Sequence, residues 1–286
     1  MHIARFTRPL AVAGISAIAI LTAATGATPA AGASTTLYTA PPVIGTSPGS
    51  CLTTYCFVDD GNWAGYQNTT ISTTSVTFVH VQASFSVPSV NCTKTATGYA
   101  SQAAALGGKN NTSGLEAAGV TSQCVSGTAS YEAWWETYPD PQTAEFSVNP
   151  GDAIAAAVTY DNTAGTHDGQ YELTITDQTS GQSFSVWESC AATTCLNTAA
   201  EVGSAAPSNA SSGTNSSILE LADYGAANFV GASVTESSGT VVGLTSSTLT
   251  LANQLSQVSA TTNDFLASPG TIYGGEAFSD TWQNAS

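Results

Sequence analysis

The sequence predicts an all-β protein, a sandwich or barrel of many short strands. Apolar and β-branched runs of strand length recur along the chain, with Gly, Asn, Asp and Ser between them. After residue 33 no stretch shows the periodicity of an amphipathic helix. The 286 residues are 42% hydrophobic and include five Trp, ten Tyr and nine Phe, enough to pack one large domain or two small ones and too apolar for disorder.

Residues 1–33 open with Arg5 and Arg8, continue through an apolar stretch from Leu10 to Leu21, and end in Ala31-Gly32-Ala33. These are the parts of a secretory signal peptide, and the apolar run falls short of the roughly 20 residues of a membrane span. Residues 34–59, rich in Pro, Ser and Thr, are expected to form a linker or propeptide remnant with a cysteine loop. The domain proper is expected over 60–286. Strands are predicted at Ser75 to Val87, Ser130 to Tyr138, Ala153 to Tyr160, Tyr171 to Asp177, Phe184 to Trp187 and Ser247 to Leu251.

The formal net charge is −16, and beyond the first ten residues two lysines stand against twenty carboxylates. Nucleic acid and anionic membrane surfaces are poor partners for such a chain. Protonating the acids at about pH 3 leaves few positive charges and little self-repulsion, so the composition suits an acidic medium. A halophile would carry more than 8% charged residues. Export permits disulfides among Cys51, Cys56, Cys92, Cys124, Cys190 and Cys195, for which 15 connectivities are open. The two x4 spacings suggest local loops, Cys51 with Cys56 and Cys190 with Cys195, which leaves Cys92 for Cys124. With only His80 and His167 as nitrogen ligands after the signal, no metal and no cofactor is expected.

Side-chain alternation assigns faces to the strand Ser130 to Tyr138. Glu132, Trp134 and Glu136 share one face, and Tyr131, Ala133 and Trp135 the other. Burying two carboxylates costs several kcal/mol each unless they are neutralised and bonded, so the first face is expected to line an open groove and the second to pack between sheets. A glycosidase pair at Glu132 and Glu136 is disfavoured: four residues along a strand span roughly 13 Å, beyond the separation such acids need. Gly45-Thr46-Ser47-Pro48-Gly49 has the spacing of a nucleophile elbow but lacks the strand and helix around it. His80, within a strand, and His167, in a turn, read as structural or solvated.

Asn62-Trp63-Ala64-Gly65-Tyr66, Ala83-Ser84-Phe85-Ser86-Val87-Pro88, Tyr131 to Pro139, Pro150-Gly151-Asp152 and Leu221-Ala222-Asp223-Tyr224-Gly225 follow one another in an order that resembles the glutamic peptidase family, the eqolisins, in its bacterial secreted form. The likeness runs from about Asp60 to Gln283, with the tryptophan-rich strand its most specific piece. It implies a lectin-like, concanavalin-type sandwich of two curved antiparallel sheets whose concave face binds an extended peptide. In that family a glutamate activates water and a glutamine helps hold the oxyanion. The resemblance places Trp63, Glu132, Trp134, Glu136 and Tyr138 on groove or supporting positions. The glutamine slot falls on Ala117, two residues before Gly119, and the glutamate slot on Ala205, four residues after Glu201.

Two registers are open for Glu116. Without a gap it faces the sheet interior with Ala118 and Val120; a one-residue bulge before Gly119 would turn it into the groove. Even then Glu201 lies four residues, roughly 13 Å, short of the catalytic slot. The first expectation is therefore a secreted, extracellular, acid-tolerant family member with impaired catalysis and a groove for an extended peptide or unfolded protein. An active acid endopeptidase using Glu116, Glu201 or Glu136 is the alternative. A carbohydrate-binding module with Trp63 and Trp134 facing a glycan is the second. The chain is expected to be a monomer that does not bind membranes once the signal is removed.

Overall fold

A computed structural model describes residues 35–42, 44–70, 76–108, 114–193, 195–211, 217–246, 250–259 and 261–285. The expected signal peptide, 1–33, lies outside the described residues. Strands make up the regular structure: β1 (Ile44–Cys51), β2 (Cys56–Asp60), β3 (Trp63–Thr70), β4 (Phe78–Ser86), β5 (Gly98–Gly107), β6 (Leu115–Val125), β7 (Thr128–Tyr138), β8 (Thr143–Ser147), β9 (Ala153–Tyr160), β10 (Gln170–Asp177), β11 (Ser183–Ser189), β12 (Ala199–Ala205), β13 (Ala226–Glu236), β14 (Val241–Val242), β15 (Thr250–Val258), β16 (Phe265–Pro269) and β17 (Phe278–Trp282). No helix among the described residues is long and apolar enough to cross a membrane.

Pairing orders one layer as β8–β7–β6–β5–β12–β3–β15, antiparallel throughout. A second antiparallel layer runs β17–β13–β4–β9–β10–β11. β16 joins them by pairing with β15 and β17. The expected sandwich is therefore one sheet folded over on itself. Residues 34–59, expected as a linker or propeptide remnant, contribute paired strands: β1 and β2 form a hairpin, and β2 runs parallel to β15. The backbone groups of this stretch find partners in the sheet, which a free linker would leave to water.

The layers close on a shared apolar core. Tyr55, Tyr66, Phe278, Phe229 and Phe85 form a chain of rings through it, with successive centroids 5.5, 4.9, 4.8 and 5.5 Å apart. Such pairs add about 0.5–1.5 kcal/mol each to the area they bury. β9 and β10 show why part of the fold was readable: Ile154, Ala156 and Val158, then Tyr171, Leu173 and Ile175, point inward while the residues between them are only partly buried. β5 and β12 are buried along their whole length, so their sequences lack alternation. The disulfides are Cys51–Cys56, Cys92–Cys124 and Cys190–Cys195.

Candidate functional site

The first layer turns a second face away from the core. Register aligns Asn253, Gln67, Glu201, Ala105, Ala117 and Glu136 in one row across β15, β3, β12, β5, β6 and β7. The neighbouring row carries Leu255, Gly65, Gly203, Ala103, Gly119 and Trp134. Alternation along each strand makes these side chains share a face. Its middle is lined by residues with a methyl group or no side chain, and aromatic rings stand at its margins.

A polar chain enters the row from β15. Asn253 Nδ2 donates to Gln67 Oε1 at 3.1 Å, and Gln67 Nε2 donates to Glu201 Oε1 at 2.8 Å. Glu201 is fully buried, and desolvation pushes its carboxyl up to about 8, against the Gln67 bond and with help from the nearby Asp60. Glu136, at the other end of the row, is also fully buried. Burial drives it well above the usual carboxylate range, only partly offset by its bonds to Thr39. Both acids are therefore neutral at acid pH. Three strand spacings separate them in the row, roughly 14 Å.

The face is covered by the chain itself. Residues 35–42 lie across it, held mostly through their backbone. Tyr38 exchanges backbone bonds with Ser208, at 2.9 Å from its amide and 2.7 Å to its carbonyl. The Leu37 carbonyl accepts from the Gln142 amide at 2.8 Å, and Gln142 Nε2 donates to Thr39 Oγ1 at 2.6 Å. The Thr39 amide donates to Glu136 Oε2 at 2.7 Å. The Ala40 carbonyl accepts from Asn62 Nδ2 at 2.8 Å and from the Trp63 indole at 2.9 Å. Ala40 joins one buried apolar cluster with Trp63, Ala103, Ala105, Leu115, Ala117, Trp134, Tyr138, Ala205 and Leu255.

This corrects the expectation of an open groove. Trp63, Trp134, Glu136 and Tyr138 are buried beneath or beside the covering segment, and Glu132, on the same face of β7, is exposed near the outer end. Tyr131, Ala133 and Trp135 pack toward the core as expected. Glu136 bears its burial because it is protonated and accepts one backbone bond.

Glu116 takes the ungapped register. β6 pairs with β5 and β7 residue for residue, with no bulge before Gly119. A Cβ at Gly119 would lie 2.2 Å from the Gln102 carbonyl oxygen, so this glycine serves close strand approach. Glu116 consequently points to the core side, fully buried, with neither carboxyl oxygen hydrogen-bonded among the described residues. Desolvation pushes it up to about 8. It sits beside the Cys190 and Cys195 sulfurs, which are joined in a disulfide and offer no thiolate to a metal. Glu116 and Glu201 thus occupy opposite faces of the layer. His80 bonds Thr159 Oγ1 at 2.8 Å, and His167 stacks on Trp187 at 4.3 Å, both away from the face.

Gln67, Asn253, Gln142, Asn62 and the segment 35–42 were not anticipated. Gln67 had a signal in the sequence, since Trp63, Gly65 and Gln67 share a face by period two. The covering segment had none.

Fold and face together define an antiparallel β-sandwich that holds an extended chain segment on one sheet. Residues 61–268 match the model of the Peptidase A4 family, and the chain belongs to that family. No curated protein matches it significantly in sequence. Among solved structures it is similar to scytalido-glutamic peptidase with a transition state analog inhibitor, at 20% identity and TM-score 0.60, covering 78% of this chain and 98% of that one. SCP-B, an eqolisin in complex with the tripeptide Ala-Ile-His, is similar at 20% identity and TM-score 0.58, with the same coverage of 78% and 98%. Aspergilloglutamic peptidase from Aspergillus niger is similar at 22% identity and TM-score 0.51, covering 65% and 99%. These likenesses establish the shared fold.

Proposed function

We propose that this chain is a secreted, acid-tolerant member of the Peptidase A4 family that keeps a peptide-binding face and has lost or badly impaired peptide-bond hydrolysis. The observation that carries the reading is the row itself, where Ala105 and Ala117 separate Glu201 from Glu136. A general base must come within about 3 Å of the proton it takes, or act through one water. Glu201, although bonded to Gln67 at 2.8 Å, is fully buried and kept protonated at acid pH, as is Glu136, so neither carboxyl is placed to take a proton from water. Ala205, the other position where the family resemblance expects a catalytic side chain, supplies no acid, and Glu116 faces the core.

The peptide partner is supported by the relatives in complex with a peptide-based analog and with a tripeptide, and by the backbone bonds that hold residues 35–42. Three disulfides support an extracellular setting, and protonated buried acids support acid tolerance. The glycan reading lacks such support, because Trp63 and Trp134 are covered and present no ring face.

The test is cleavage of an unfolded protein by the purified chain across about pH 2–6. No cleavage is expected. Cleavage that disappears in Glu116→Gln, Glu136→Gln or Glu201→Gln would establish the active endopeptidase instead.

A further inference from the structure

We propose that residues 35–42 are the peptide face's own ligand, and that the alanine at 205 makes the seat for Ala40 beside Trp63, so that the face selects an extended segment with a methyl-sized residue at that point. The inference rests on the reading of this face as a peptide site and names its occupant and its selectivity.

The bonding pattern is that of a bound peptide. Tyr38 pairs with Ser208 as an added strand would, through its own amide and carbonyl, and Leu37, Thr39 and Ala40 contribute further backbone groups. Backbone bonding of this kind holds many sequences, and selectivity comes from the pockets beneath. The decisive pocket lies under Ala40. The Ala40 carbonyl sits on Asn62 and the Trp63 indole, register sets Ala205 opposite Trp63, and Ala40, Trp63 and Ala205 are buried in one apolar cluster. Interiors are packed too closely to admit a larger side chain without displacing something. Glutamate at 205 would need the volume that Ala40 and its neighbours fill. The alanine that leaves this slot without an acid therefore also makes room for the segment.

Tethering strengthens the fit. A covalently attached ligand competes at an effective concentration of about millimolar, which weakens an equivalent free peptide roughly 100-fold or more. The face of the intact chain is accordingly closed to outside peptides of similar affinity.

The experiment uses the chain as purified, its Ala40→Leu variant, and a fluorescent peptide of sequence Thr-Thr-Leu-Tyr-Thr-Ala-Pro-Pro, which copies residues 35–42. Fluorescence anisotropy is expected to show binding to Ala40→Leu at least roughly 100-fold tighter than to the parent, and none by a peptide with leucine in place of its alanine. Equal binding by parent and variant overturns the inference while leaving the peptide site intact. Hydrogen exchange on the parent gives an independent check that survives a misfolded variant: the Thr39 amide should exchange as a buried, bonded group, and exchange at an open-chain rate overturns the inference. If exchange shows the segment released in a folded Ala40→Leu chain and the peptide still does not bind, the peptide-site reading itself fails. Hydrolysis of the peptide by that variant would overturn the proposed loss of catalysis and leave the occupancy standing.

Discussion

Replacing Glu201 by glutamine isolates what one buried carboxyl does to stability as pH changes. In the folded chain burial raises this group from 4.5 to about 8, whereas the unfolded chain releases its proton near the ordinary value. Between those limits the folded state holds a proton that the unfolded state has given up, so rising pH favours unfolding. The group's contribution is therefore fully present below the unfolded value and is lost as pH climbs toward the folded one. At about 1.36 kcal/mol per pH unit, the span from 4.5 to pH 7 amounts to about 3 kcal/mol. Glutamine mimics the protonated acid, and its amide oxygen can still accept from Gln67 Nε2. Glu201→Gln should match the parent at pH 4 and exceed it at pH 7 by about 3 kcal/mol, or roughly 6–12 °C in melting temperature for a chain of this size. Urea unfolding at pH 4, 5.5 and 7 and constant ionic strength measures this. Parent and variant curves that stay parallel across the three pH values would refute the assignment of a neutral, buried Glu201.

Glu116 at about 8 and Asp280 at about 7, both raised by burial, act in the same direction, so the parent chain should lose stability steadily from about pH 4.5 to neutrality. Thermal melts across that range check it, and a maximum at neutral pH would contradict it. Ala205→Glu, made with residues 35–42 in place, buries an acid beneath Ala40 and should cost about 2–4 kcal/mol, with faster proteolysis of the covering segment as a second readout. Gly203→Ala sets a Cβ 2.2 Å from the Ala64 carbonyl oxygen and should cost about 1–3 kcal/mol by denaturant unfolding. Removing Cys92–Cys124 by paired alanines opens the longest loop, with a sequence separation of 32 against 5 for the other two disulfides. It should cost about 3–4 kcal/mol against about 2 for either short one, and an equal loss for all three would exclude the loop-entropy account.

The amino-acid sequence by itself determined the strand-rich class, the family resemblance and the facing of β7. Period-two patterning is a local property, and β4, β9, β10 and β11 each show one face to the core and the other more to water, so their residues record the difference. Of the strand predicted at 247–251, residues 247–249 lie outside the described residues and the rest falls at the start of β15, which runs on to Val258 through Asn253, Gln254 and Gln257, buried amide residues that read as a loop. Gly98–Gly107 and Ala199–Ala205 carry little strand signal because both their faces are covered, and pairing with neighbours holds them extended against weak propensity. Register was a tertiary decision. Whether Glu116 met the core or the covered face depended on the close approach of β5 and β6 at Gly119, which no single strand encodes. The covering of the face was likewise decided by contacts nearly a hundred residues apart in the chain, such as the Thr39 amide on Glu136. A Pro- and Thr-rich stretch reads as a linker because its side chains bury little, but here its backbone does the binding, and backbone groups are the same in every sequence.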